Sequence, residues 1–148
     1  MINLGSGTIE SDDGKLRIYR GMWLSELLYS CVENNIIAKP RKDLPFLFQI
    51  LPQYIDKHQC VIRALCENWS DVNGIISQVH ISLYHDYGHQ PTWDDWTREG
   101  MEQDKRDHDN WLQKVYRLKP WTTFKWGTIR SVLDTKGGSS FIAIDYNN

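Results

Sequence analysis

The chain has 148 residues, of which 41% are hydrophobic and 24% are charged, a balance that is typical of a folded globular protein and excludes a disordered one. The net charge of −2 argues against a nucleic-acid-binding domain, because such domains usually carry a basic excess that neutralises phosphates. Three cysteines without a CxxC pair argue against a disulfide framework. No apolar run approaches the length of a membrane span.

These limits predict a cytoplasmic protein of one domain that spans residues 1–148. A domain of this length buries more than half of its unfolded surface, so its core needs no metal or disulfide, and we expect no cofactor. The first residues lack the basic and apolar regions of a signal peptide. Cys31, Cys60 and Cys66 lie among apolar neighbours and are expected to be buried thiols.

The first third of the chain is predicted to be mainly helical. After a polar start with room for a short strand, apolar residues recur at spacings of three and four, which predicts an amphipathic helix over residues 21–34. Asp43 can cap a second helix with Pro45 in its first turn, and Pro52 would break it. The helical spacing of apolar residues then predicts a third helix over residues 53–69.

The longest periodic stretch covers residues 92–118 and predicts the longest helix. Thr92 is a suitable N-cap with Asp95 three residues later, and Pro120 ends the pattern. Gly100 lowers the helix propensity by about 1 kcal/mol relative to Ala. Any break in this helix is therefore expected at Gly100.

Strands are predicted on both sides of this helix. Apolar and polar residues alternate from Ile75, which predicts a half-buried strand. Strands over residues 122–133 and 139–146 flank a glycine-containing turn and form a hairpin. The sequence therefore predicts an α+β fold with N-terminal helices, one central strand, a long helix and a C-terminal β-hairpin, in which a small antiparallel sheet packs on the helices.

Three histidines and a carboxylate within ten residues are candidates for chemistry: His80, His85, Asp86 and His89. Such groups bind zinc or iron or act as general acids and bases, which would make the protein a metal-dependent hydrolase. The His85-Asp86 pair also resembles the metal-binding pair of some phosphohydrolases, whose further ligands cannot be placed here. Because neither HExxH nor CxxC spacing is present and His80 should face outward, we expect ordinary surface histidines and no metal.

The predicted long helix begins with a strongly acidic segment. Residues 92–110 contain seven acids and three bases, whereas residues 111–137 contain six bases and one acid. The simpler explanation is a solvated helix face with local ion pairs. The functional explanation is an acidic docking surface flanked by tryptophans, which is a common composition of interface hot spots. The residues predicted to bind a partner are Trp93, Asp94, Asp95, Trp96, Glu99, Glu102 and Asp104.

Basic and aromatic residues alternate around the predicted hairpin, as they do in proteins that bind single-stranded nucleic acid. The pattern consists of Lys119, Trp121, Lys125, Trp126 and Arg130. Trp126 is expected to face the core, however, and the acidic segment would repel a phosphate backbone. Direct nucleic-acid binding and membrane binding are therefore not expected. No GxSxG elbow and no phosphate-binding glycine loop occurs in the sequence.

In its size, its α+β pattern and its acidic, aromatic surface, the chain resembles bacterial immunity proteins. These are the small partners of contact-dependent growth inhibition and other polymorphic toxins, and the resemblance is one of general character over the whole chain. It implies a cognate toxin domain, often a basic nuclease, that is bound in the cytoplasm and blocked at its active-site cleft. A metal-dependent hydrolase, and a phage-encoded inhibitor of a host nuclease, remain as alternatives.

Overall fold

A computed structural model describes residues 1–40, 48–67, 74–88 and 93–148 of the chain. One large antiparallel sheet is the main element of this described part. Its helices are α1 (Leu24–Glu33) and α2 (Arg98–Tyr116), and a single 3-10 turn (Trp93–Asp95) precedes α2. Its strands are β1 (Ile9–Glu10), β2 (Arg17–Ile18), β3 (Ala38–Pro40), β4 (Phe48–Ile55), β5 (His58–Cys66), β6 (Ile76–Leu83), β7 (Trp121–Phe124), β8 (Gly127–Asp134) and β9 (Ser139–Tyr146). Seven strands pair in the order β3-β4-β5-β6-β9-β8-β7, and β1 pairs with β2 separately.

The predicted fold class is wrong, because the sheet is the main element and the described residues contain only two α-helices. The second predicted helix lies partly outside the described residues, and its last part is the start of β4. The third predicted helix, over residues 53–69, is instead the end of β4 paired with β5. Near the end of β5 the consecutive residues Ala64, Leu65 and Cys66 are all buried, so the strand lacks the clean alternation that would have distinguished it from a helix.

A tight turn without glycine joins β4 to β5. Asp56 and Lys57 both have positive φ, 51° and 68°, as in a type I′ hairpin turn. Such turns usually contain Asn-Gly or Asp-Gly, so the pair Asp-Lys carries no hairpin signal in the sequence. The Asp12 carboxylate supports the turn by accepting both of its N–H groups, from Asp56 at 2.8 Å and from Lys57 at 2.7 Å. Asp12, which is distant in sequence, therefore stabilises a turn conformation that Asp56 and Lys57 do not themselves favour.

One face of the sheet carries the apolar core. Ile62, Ile81 and Ile142 are paired across β5, β6 and β9 and are fully buried. They form one cluster with Leu27 of α1 and Leu112 of α2, so both helices pack on this face. We call the opposite face of the sheet the second face. Neighbouring strands β5, β6, β9 and β8 place four paired residues on it: Arg63, His80, Ala143 and Arg130.

The three cysteines are buried and form no disulfide within the described residues, as predicted. Burial raises the pKa of the Cys31 thiol and raises that of Cys60 to about 12. These two thiols are therefore protonated at neutral pH and are poor nucleophiles.

Several of the predicted elements are confirmed. The helix predicted over residues 21–34 is α1, and the strand predicted from Ile75 is β6, which lies at the centre of the sheet. The predicted hairpin is present as β8 and β9. Its first strand is shorter than predicted, since residues 122–133 also include most of β7 and a second tight turn.

The long helix α2 begins later than predicted. Its N-cap is Thr97, whose side-chain oxygen accepts the N–H of Gly100 at 2.9 Å. The predicted N-cap, Thr92, lies outside the described residues. Gly100 is in the first turn of α2, so the helix begins near this glycine and is not broken by it. As a result, Asp94 and Asp95 precede the helix and do not lie on it.

Replacing Lys57 with glycine should stabilise the protein, because glycine adopts a positive φ without the steric cost that lysine bears. We expect Lys57→Gly to raise the free energy of unfolding by about 0.5–1 kcal/mol, measured by urea unfolding with tryptophan fluorescence. Lys125→Gly is the matched control, because Lys125 is also exposed in a tight turn but has no positive φ, and this change should lower stability. A destabilised Lys57→Gly variant would contradict the strain at this turn.

Candidate partner-binding cleft

A cleft of about 530 Å³ lies between the N-terminal half of α2 and the second face of the sheet. Its floor includes side chains of β4, β5 and β6, and its wall is α2 over residues 100–107. His108 contacts Leu83, the last residue of β6, so the earlier turns of α2 lie beyond the end of that strand. The cleft is therefore formed where α2 continues past the sheet.

Three carboxylates converge on this cleft. Asp95 comes from the 3-10 turn, whereas Asp104 and Asp107 are three residues apart on α2 and therefore share one face of the helix. Two basic groups, Arg63 and His85, also line it. Even with His85 protonated, the charges leave the cleft acidic.

Aromatic rings line the same cleft. Trp96 follows the 3-10 turn and is 46% exposed, and Tyr84 and Tyr87 come from the segment after β6 and are also partly exposed. Met101 of α2 adds an apolar, adaptable side chain. Exposed aromatic rings beside carboxylates can receive the apolar stem and the charged head of a Lys or Arg side chain.

A hydrogen bond between His85 and Asp104 joins two residues that line the cleft. The Nε2 atom of His85 lies 2.8 Å from an Asp104 carboxylate oxygen. This hydrogen bond raises the pKa of His85, with partial burial acting in the opposite direction. The side-chain amide of Gln103 donates to Asp107 at 2.9 Å. Two of the carboxylates are therefore held in defined positions before any partner binds.

The cleft contains three of the seven residues predicted to bind a partner, namely Asp95, Trp96 and Asp104. Asp94 and Glu99 are exposed and have no hydrogen bond or ion pair with another described residue. The side chain of Trp93 lies outside the description. The remaining predicted residue, Glu102, points its carboxylate to Arg98 at 3.0 Å.

The prediction that Asp95 lies on the long helix is wrong, because Asp95 precedes α2. Ion pairs between neighbouring turns do account for part of the acidic segment, as the solvated-face explanation expects, since Lys105 contacts Asp109 at 2.6 Å. The cleft residues Tyr84 and Tyr87 were not predicted. Their signal in the sequence is two tyrosines in the loop that leads to the acidic segment.

The described histidines of the candidate metal group do not converge. His80 stacks on Phe141 with ring centres 4.1 Å apart, and burial lowers its pKa to about 4. His85 pairs with Asp104, and Asp86 accepts the N–H of Gly88 at 2.8 Å. His89 lies outside the description. Over residues 1–40, 48–67, 74–88 and 93–148, no three His, Cys, Asp or Glu side chains are placed to hold a metal ion.

A buried histidine that was not predicted to have a role, His108, connects α2 to the sheet below the cleft. Its Nε2 accepts the backbone N–H of Leu83 at 3.2 Å, so the hydrogen is on Nδ1, which lies 2.9 Å from the Ser140 hydroxyl. The imidazole is fully buried, and this burial lowers its pKa to about 4 against the opposing charges of Asp104, Asp107 and Asp109. His108 is therefore neutral at physiological pH and acts as a polar contact between elements.

No protein-family model matches this sequence, and no similar curated protein or solved structure was found. Neither helix in the described part of the chain is long and apolar enough to cross a membrane. The function must therefore be inferred from the geometry of the cleft.

The neutral His108 should make the protein less stable in mild acid. The unfolded state takes up a proton at this residue near pH 6.5, whereas the folded state does so only at about pH 4. Stability should therefore fall as the pH decreases through this interval, by at most about 3 kcal/mol for this group. The measurement is the free energy of unfolding in urea at several pH values between about 7 and about 4.

The variant His108→Gln serves as the comparison, since a Gln side chain does not titrate and offers an oxygen to the Leu83 N–H. Its unfolding free energy should be lower than that of the wild type at neutral pH but should decrease less steeply in acid. The same pH slope in both proteins would show that His108 does not cause the effect. His80, whose pKa is also lowered to about 4, should account for part of the slope that remains.

Proposed function

We propose that this chain is an immunity protein that binds a cognate toxin domain, a basic nuclease, in the cytoplasm and holds it inactive. The observation that carries the proposal is the convergence of Asp95, Asp104 and Asp107 with the exposed ring of Trp96 on one cleft. Carboxylates and aromatic rings both attract Lys and Arg side chains, and the aromatic residue supplies the apolar contact area of a binding hot spot.

The chemistry of a nuclease suits this surface. A nuclease active-site cleft is basic because it receives phosphates, and the same basic groups attract a cluster of carboxylates. Asp94 and Glu99 extend the negative charge beyond the cleft and are free, within the described residues, to pair with a partner. Complementary charge would also speed association, to about 10⁸ M⁻¹s⁻¹ at low salt.

The sequence leaves two other functions as alternatives. The described members of the histidine group take separate partners, so nothing in the described residues favours a metal-dependent hydrolase. A phage-encoded inhibitor of a host nuclease would use the same acidic surface on a different enzyme. The identity of the bound nuclease distinguishes that function from immunity.

The test is binding to the nuclease toxin domain encoded beside this chain's gene, together with protection of cells that express that toxin. Asp95→Lys combined with Glu99→Lys should weaken binding by about 2–4 kcal/mol, because each change places a positive charge opposite the basic partner. Isothermal titration calorimetry measures the affinity, and growth during co-expression measures protection. Tight binding should fall steeply with salt.

The matched control combines Glu33→Lys with Glu67→Lys, which adds the same total charge at two exposed acids that do not line the cleft. It should bind and protect like the wild type. An equal loss in the control would attribute the effect to net charge alone. Wild-type affinity in the Asp95→Lys, Glu99→Lys protein would remove the cleft as the interface, and binding only to a host nuclease would favour the phage inhibitor.

A further inference from the structure

The edge strand β7 presents unpaired backbone groups to solvent. It is the last strand of the seven-stranded sheet and pairs only with β8. The N–H of Ser131 donates to the carbonyl of Pro120 at 2.7 Å, which makes Pro120 and Ser131 a directly hydrogen-bonded pair. Such pairs alternate along an antiparallel ladder, so Thr122 and Phe124 bond to β8. The N–H and C=O groups of Trp121 and Thr123 therefore point away from the sheet.

These outward groups have no other partner within the described residues. No hydrogen bond to the backbone N–H or C=O of Trp121 or Thr123 is present there outside the ladder with β8. Natural proteins usually protect such an edge with a charged side chain, a proline or a bulge within the strand. The β7 sequence is instead Trp-Thr-Thr-Phe, which strongly favours a strand.

A large aromatic side chain accompanies the exposed edge. Trp121 is 66% exposed, and the Arg130 guanidinium lies 5.4 Å from the centre of its ring. A 2.7 Å ion pair with Asp145 fixes the Arg130 guanidinium, so the Trp121 ring packs against a side chain that is held in position. An exposed tryptophan in a defined position offers a cross-strand contact to an incoming strand.

The charges at the two ends of β7 determine which kind of strand fits. Lys119 and Lys125 are exposed on either side of it. If two copies of β7 paired antiparallel through Trp121 and Thr123, Lys119 of one copy would approach Lys125 of the other, which is in the turn directly after β7, at both ends of the pair. Like charges directly opposite each other destabilise a strand pair, whereas Glu or Asp opposite Lys stabilises it.

We propose that β7 is a docking edge for an extended acidic segment of a partner protein, which adds to the sheet as a further strand. The segment bonds through its backbone to Trp121 and Thr123, and it carries carboxylates at the spacing that separates Lys119 from Lys125. Addition of a strand to a sheet edge is a common mode of peptide recognition, in which the backbone supplies affinity and the side chains supply specificity.

This docking edge is separate from the acidic cleft. β7 pairs with residues 127–130, at one end of β8. The cleft is lined by Gly138, in the turn at the other end of the β8–β9 hairpin. The two sites also prefer opposite charges. Either site can therefore be present without the other, and variants of one leave the other intact.

The experiment uses a fluorescein-labelled peptide, Glu-Val-Thr-Val-Thr-Val-Glu, whose carboxylates match the Lys119–Lys125 spacing, and a second peptide with Lys in place of both Glu. Fluorescence anisotropy should show the acidic peptide binding at least about tenfold more tightly than the basic one, with the difference reduced by salt. Hydrogen exchange of the Trp121 and Thr123 amides should slow when the acidic peptide binds. The Thr122 amide, already bonded to β8, should not change.

Thr123→Pro removes one outward N–H and no bond to β8, and proline is tolerated on edge strands. It should weaken binding at least about tenfold, whereas the control Thr123→Ala, which keeps the N–H, should bind like the wild type. The double change Lys119→Glu and Lys125→Glu leaves the β7 residues intact and should reverse the preference to the basic peptide. It tests the proposal even if the proline variant does not fold.

Three results would overturn the proposal: no binding of the acidic peptide, equal binding of both peptides, or unchanged exchange at Trp121 and Thr123. A fourth such result would come from the oligomeric state of the protein alone, measured by sedimentation. A dimer that disappears in Thr123→Pro would show that a second copy occupies β7. Because Asp95→Lys should leave peptide binding unchanged, failure of the docking edge is distinguishable from failure of the proposed function.

Discussion

The carboxylate of Asp56 connects parts of this fold that are distant in sequence. One of its oxygens accepts the indole N–H of Trp111 at 3.0 Å and the hydroxyl of Tyr116, both on α2. Burial and this hydrogen bond together raise the pKa of Tyr116, so its hydroxyl remains a donor. Asp56 is placed for this contact by a left-handed turn that Asp12 supports. Without Asp56, the C-terminal half of α2 would lose these two hydrogen bonds, at a cost of about 1–3 kcal/mol for a buried donor left without an acceptor.

This attachment explains where the cleft lies. Trp111 and Tyr116 are in the C-terminal half of α2, which is therefore held against the sheet, with His108 as the last polar contact before the strand ends. The preceding turns continue past the sheet and expose their acids. A carboxylate near a helix N-terminus also interacts favourably with the positive end of the helix dipole and stabilises the helix. Glu99, the acid in the first turn of α2, stabilises the helix start in this way, whereas the cleft acids Asp104 and Asp107 lie further along the helix.

The separation of charge along the sequence becomes two surfaces in the structure. Three of the acidic residues of 92–110, Asp95, Asp104 and Asp107, line the cleft, and two of the bases that follow residue 111, Lys119 and Lys125, flank the edge strand β7. The two surfaces differ in what they offer a partner. The cleft presents side-chain charge and aromatic rings, whereas β7 presents backbone groups whose direction is set by its ladder with β8. Only the first depends mainly on residue type, and the sequence therefore indicated it.

The sequence by itself determined the elements whose signal is local. The spacing of Leu24, Leu27 and Cys31 predicts α1, and the alternation around Val79 and Ile81 predicts β6. It also identified Asp95, Trp96 and Asp104 as candidate partner-binding residues from charge and aromatic content, although not their companions Tyr84 and Tyr87. The tertiary structure alone decided that residues 53–66 form strands, because the turn between them is supported by Asp12 and Trp111 from outside the segment. It alone placed Asp104 beside His85 and exposed the edge of β7, since both depend on pairings between residues far apart in the chain.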